Sequence, residues 1–124
     1  YYRTTTHSLV SKKAVLSGIK NIKVGGNSIV AHGVVVRGEL AKIQLGRFCL
    51  VRDNVVLHPA YKPFKGSIAF FPITIGDFVQ IEDESVVGAT SIGSFVSIGR
   101  NCTIGKRVII KDFVRIEDNS VLPD

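Results

Sequence analysis

The chain has 124 residues, with 16 Lys plus Arg set against 10 Asp plus Glu for a formal net charge of +6. At roughly 150 residues per domain this is one domain, and 45% hydrophobic against 21% charged residues is too apolar for an intrinsically disordered chain. No stretch approaches the ~18 consecutive apolar residues of a membrane-spanning helix, and Tyr1-Tyr2-Arg3-Thr4-Thr5-Thr6 lacks a signal peptide's apolar run. The sequence reads as a soluble chain, and with no Met at all its true start reads as removed.

Residues 1–21 show no period and read as an irregular first coil. Beyond them a large aliphatic recurs with a compact residue four places later: Val24 with Ser28, Val30 with Val34, then Val36. Three extra residues around Gly38-Glu39-Leu40 interrupt the pattern before Leu45 with Cys49, Val51 with Val55, and Leu57. Residues 59–74 carry three prolines and a glycine, yet the eighteen residues from Leu57 to Ile75 leave the phase unchanged. That segment is expected to bulge from one corner as a loop.

From Ile75 the period is strict. Ile75, Ile81, Val87, Ile92, Ile98, Ile104, Ile110, Ile116 and Leu122 follow one another every six residues, apart from a five-residue step into Ile92. The compact partners are Val79, Ser85, Ser91, Val96, Cys102, Val108, Val114 and Ser120. An amphipathic helix repeats at three and four, not at six. Gly76, Gly88, Gly93, Gly99 and Gly105 follow the aliphatic, with Asn, Asp or Gly in the next places, as corners with unusual backbone angles require. A short strand and a tight corner, repeated, give a triangular coil of about eighteen residues. Coils stacked ~4.8 Å apart make a parallel β-helix.

Cys49 and Cys102 are too few for a disulfide framework and lie in no Cys-x-x-Cys pair. Both fall on the compact inward position, so buried thiols and a reducing compartment are expected. Lys and Arg read as scattered among Asp and Glu, with no basic run and no aromatic RNA-binding motif, which points to a solvated surface and away from nucleic acid.

The same register predicts surface stripes. Phe48, Phe78, Phe95 and Phe113 should stack along one corner, either to stabilise it or to form a partner-binding edge. Asn54, Glu84, Asn101 and Asn119 should line the next corner, where Asn accepts left-handed angles. Val56, Val86, Thr103 and Val121 should form a flat apolar wall for lateral packing against another β-helix. Tyr61, Lys62, Phe64, Lys65, Phe70 and Phe71 mix aromatic and basic character in a segment the core does not need, as recognition loops do.

The six-residue pattern resembles the hexapeptide-repeat proteins, and that resemblance implies a left-handed β-helix against the general right-handed rule for parallel crossovers. Val36-Arg37-Gly38-Glu39, Ile43-Gln44-Leu45-Gly46 and Asp53-Asn54-Val55-Val56-Leu57-His58 resemble γ-class carbonic anhydrases, whose zinc sits on three histidines between subunits. His58 matches the first of these, while Asp83 and Gly88 stand at the other two, so three protein ligands with an open position are not expected. His7 and His32 lie outside the matching coils. A hexapeptide acyltransferase would take His32 or His58 as base, but nothing specifies a nucleotide or pantetheine site, and no P-loop or dinucleotide fingerprint is present.

Arg37-Gly38-Glu39-Leu40-Ala41, Gly46-Arg47-Phe48-Cys49, Lys62-Pro63-Phe64-Lys65-Gly66 with Ala69-Phe70-Phe71-Pro72, Ile92-Gly93-Ser94, Ile98-Gly99-Arg100-Asn101-Cys102 and Asp118-Asn119-Ser120-Val121-Leu122-Pro123 are similar to the dynactin subunit 5 family over roughly residues 14–124. The resemblance implies a non-enzymatic scaffold without catalytic residues, metal or cofactor, lacking here the family's C-terminal segment. It implies a cytoplasmic, cytoskeleton-associated place in the dynactin pointed-end complex. The implied partners are dynactin subunit 6, the actin-related pointed-end capping protein, a larger zinc-binding subunit, and dynein adaptors or cargo such as early endosomes.

Overall fold

The computed structural model describes residues 2–3 and 7–123, the first two and Phe64 through their backbone alone. The chain visits three parallel walls in a fixed order, making about six coils. The first wall holds Leu9–Val10, Ile29–Val30, Leu50–Val51, Gln80–Ile81, Ser97–Ile98 and Arg115–Ile116. The second holds Val15–Ser17, Val35–Arg37, Val56–Leu57, Val86–Val87, Thr103–Ile104 and Val121–Leu122, and the third Ile22–Val24, Ile43–Leu45, Ile73–Ile75, Ser91–Ile92 and Ile109–Ile110. Ile75 lies between Leu45 and Ile92, Ile81 between Val51 and Ile98, and Val87 between Leu57 and Ile104. The fold is the all-β parallel β-helix that the hexads imply. No helix of the described residues is long and apolar enough to cross a membrane.

The inward aliphatics form one continuous core, with Ile43, Val55, Leu57, Ile81, Val87 and Ile98 fully buried. Each such side chain contributes about 1.5–3 kcal/mol of burial. Cys49 and Cys102 are buried free thiols. Their Sγ atoms donate to the carbonyls of Gly76 and Glu117, each at 3.1 Å, and burial pushes the Cys49 thiol's pKa up. Beneath them Ser28 and Ser85 bridge coils: each hydroxyl accepts from a cysteine N–H at 3.0 Å and donates to a carbonyl, of Gly46 and of Gly99 respectively. The small polar members of the inward column are thus fully engaged, as burial requires.

Four expectations need correction. Ser91, expected inward, points outward between Thr74 and Ile109, because the five-residue step shifts the phase and Ala89 fills the interior instead. The segment 1–21 is not an irregular coil throughout: among its described residues Leu9–Val10 and Val15–Ser17 already pair with the following coil, and Ile19–Asn21 turns as a 3-10 helix. The excursion is an ordered antiparallel hairpin, Tyr61–Phe64 against Ser67–Phe70, closed by Lys65 (φ 46°) and Gly66 (φ 81°), the paired positive angles of a two-residue hairpin turn. Ile73 has already rejoined the third wall.

The corners differ as well. Gly76, Gly88, Gly93 and Gly99 do not have left-handed angles; a Cβ on Gly76 would lie 2.8 Å from the Gly93 carbonyl carbon, and one on Gly99 2.6 Å from the Asp118 nitrogen. Close approach of the next coil excludes a side chain at Gly76, Gly93 and Gly99, whereas at Gly88 the nearest atom to an added Cβ, the Ile104 carbonyl oxygen, is 3.3 Å away. The left-handed angles fall instead on Asn27, Phe48, Phe78, Phe95 and Phe113 at one corner and on Asn54, Glu84, Asn101 and Asn119 at the next.

Candidate interaction surfaces

Phe48, Phe78, Phe95 and Phe113 stack ring on ring, with centroids 5.0, 5.0 and 5.1 Å apart and planes within 8°. Register sets this spacing: each Phe N–H donates to a carbonyl of the preceding coil, Phe78 to Arg47 and Phe95 to Asp77 at 2.9 Å. A bulky residue at φ near 57° is strained by on the order of 1 kcal/mol. A stacked pair returns about 0.5–1.5 kcal/mol. Three pairs against four strained residues roughly cancel, so the ladder adds little to stability. Its rings are exposed throughout, and Phe113 at the end of the stack is 77% exposed.

Val56, Val86, Thr103 and Val121 are cross-strand neighbours on the outside of the second wall, and Val15 and Val35 extend the column to six rungs. The sequence reading missed Val15 because it allowed no regular pairing before residue 21, and it did not carry the column back to Val35 across the three extra residues around Gly38-Glu39-Leu40. It also missed Asp77, Ser94, Asp112 and Asp118, which staple coils at the corners. Their side chains accept from the N–H groups of Arg47, Asp77, Ser94 and Arg100 at 2.8–3.0 Å. The signal was available: each stands two places after an inward isoleucine.

By hairpin register Tyr61, Pro63, Ile68 and Phe70 share one face, and Lys62 and Ala69 take the other. Tyr61 tilts against Phe70 at 6.0 Å, and Lys106 Nζ lies 3.8 Å from the Tyr61 ring centre, a cation–π contact that ties the hairpin to a later coil. A cavity of about 310 Å³ between hairpin and coils is lined by Arg37, Leu40, His58, Tyr61, Ile68 and Phe70. Phe70 and Phe71 are half-buried, while Lys62 and Lys65 are exposed. The side chain of Phe64 lies outside the described residues.

His58 Nδ1 lies 3.0 Å from the Pro59 carbonyl oxygen. Gly88 stands beside it on the next coil and offers no donor, whereas Asp83 sits at the opposite end of the second-wall strands, its Oδ1 3.5 Å from Arg52 Nε. Among the described residues no three His, Cys, Asp or Glu side chains gather as a metal site. The pattern positions do not supply the ligands a catalytic zinc needs.

A sequence profile for dynactin subunit 5 matches residues 1–124. The chain belongs to the dynactin subunit 5 family. Dynactin subunit 5 of Dictyostelium discoideum is 46% identical over 94 residues, 76% of this chain and 48% of that protein. A probable carbonic anhydrase of Methanocaldococcus jannaschii is 33% identical over 95 residues, 77% of this chain and 54% of that protein. Gamma carbonic anhydrase 2, mitochondrial, of Arabidopsis thaliana is 24% identical over 106 residues, 86% of this chain and 37% of that protein. The chain spans about half the length, or less, of these curated relatives. The chain is thus similar in sequence both to dynactin subunit 5 and to carbonic anhydrases.

Proposed function

We propose that the chain forms the β-helix of a non-enzymatic structural subunit in the dynactin pointed-end complex. In this reading it is a cytoplasmic, cytoskeleton-associated scaffold for dynein-driven transport along microtubules and for adaptor or early-endosome attachment. Its neighbours would be dynactin subunit 6, the actin-related capping protein and the larger zinc-binding subunit. The supporting observation is the phenylalanine ladder: four strained, exposed aromatics with little net return in stability suit a partner-binding edge. The valine column suits lateral packing, and the hairpin's Lys62 and Lys65 suit steering of an acidic partner. A zinc enzyme like the carbonic anhydrase relatives has His58 in its favour and Gly88 against it.

The test uses the full-length protein in reconstituted dynactin. Changing Phe95 and Phe113 to Asn should leave the melting temperature within a few degrees, because Asn27 already holds the same corner at φ 57° and Asn accepts that angle. Incorporation beside subunit 6 and the capping protein should fall severalfold. Lys62→Glu with Lys65→Glu should likewise spare folding and weaken assembly, most at low salt. If both double variants assemble and capture adaptors like the parent, neither surface has the role assigned to it.

A further inference from the structure

The +6 charge is not scattered, as the sequence alone suggested. Residues 1–47, the first two coils, hold eight Lys or Arg and a single acid, Glu39, for a net +7, while residues 48–124 hold eight basic and nine acidic residues, a net of −1. Arg37 is engaged with Glu39 at 3.0 Å. Lys12, Lys13, Lys20, Lys23, Lys42 and Arg47 are all solvent-exposed, so the basic charge collects at one end of the solenoid.

That same end carries two further features. Tyr2–Arg3 lies antiparallel on Leu9–Val10 at the edge of the first wall, but Val15–Ser17 and Ile22–Val24 are the terminal strands of the second and third walls among the described residues. Beside them Val15 is 53% and Ile19 70% exposed. An edge strand with apolar side chains is a template for another strand. Lysines around it repel a second, equally basic copy and attract a carboxylate-rich chain, so one set of charges both blocks self-pairing and selects a partner.

We propose that the N-terminal end of the β-helix docks an acidic protein segment, which adds as an extended strand along Val15–Ser17 with its apolar side chains on Val15 and Ile19 and its carboxylates among Lys13, Lys20 and Lys23. Nucleic acid and anionic lipid match the charge but supply no backbone for the strand edge, which is why a polypeptide is favoured. This goes beyond membership of dynactin and does not depend on it.

The probe is a Glu-Val peptide of about eight residues, a strand's length, with a short run of valines at its centre and glutamates at both ends, titrated into the full-length protein with the matching Gln-Val peptide, glutamines replacing the glutamates, as control. The Glu-Val peptide should bind, shift the amide resonances of Val15–Ser17, and weaken steeply with salt. Lys13→Glu with Lys20→Glu and Lys23→Glu should weaken it roughly tenfold or more at low salt with an unchanged melting temperature, while Lys62→Glu with Lys65→Glu should not. Equal binding of the Gln-Val peptide, indifference to the triple reversal, or perturbation elsewhere would overturn the proposal. So would tighter binding of duplex DNA or phosphatidylserine vesicles at the same residues, or self-association of the parent through this edge.

Discussion

Replacing Ile104 with Asp is expected to unfold the protein at ordinary temperature. Ile104 is 2% exposed and paired with Val87 and Leu122 on neighbouring coils. A carboxylate there has no partner, and burying it costs several kcal/mol even when it takes up a proton. Against a domain stability of about 5–15 kcal/mol, most or all of the folded population is lost, as far-ultraviolet circular dichroism during thermal melting would register. Thr103→Asp, one residue away but exposed on the outer face, should melt within a few degrees of the parent. If the two variants melt alike, the inward register of the second wall is wrong.

Gly46→Ala is expected to destabilise by about 3 kcal/mol, the upper end of ordinary overpacking, lowering the melting temperature by roughly 10 °C. The added methyl would sit 2.4 Å from the Gly76 carbonyl oxygen and from Asp77 Oδ1. Neither is free to move: Asp77 accepts from the Arg47 N–H at 2.8 Å, and Phe78 donates to the Arg47 carbonyl at 2.9 Å. The neighbouring coil would have to lift. Gly66→Ala is the contrast, because Gly66 has φ 81° with nothing within 4 Å of an added Cβ. It should cost only about 1 kcal/mol, from the backbone angle. Equal losses in the two variants would mean that dihedral freedom, not coil spacing, selects glycine after the inward aliphatic.

The hexads were legible because inward isoleucine, leucine and valine leave a strict period that no helix shares. What eluded the sequence reading depends on neighbouring coils. Ser91 has the right composition for the interior, and only the shortened corner before it turns it outward. The phenylalanine stack was legible from the register, but its left-handed angles were not, because phenylalanine has no local reason to hold one. The hairpin was hidden by Pro63, which reads as a strand breaker, although Lys65-Gly66 is a workable two-residue turn. The basic end was hidden because charge was counted along the chain and not coil by coil. His58, Asp83 and Gly88 were legible as a set, since the absence of a donor at Gly88 needs no coordinates.

The most direct measurement is native size-exclusion of cell extract, following the full-length protein by quantitative mass spectrometry and assaying zinc in its peak. Family membership together with the missing donor at Gly88 predicts elution with the other dynactin subunits, in constant ratio to the capping protein and subunit 6. Elution away from dynactin as a small homo-oligomer, with one zinc per subunit that is lost on His58→Ala, would contradict it.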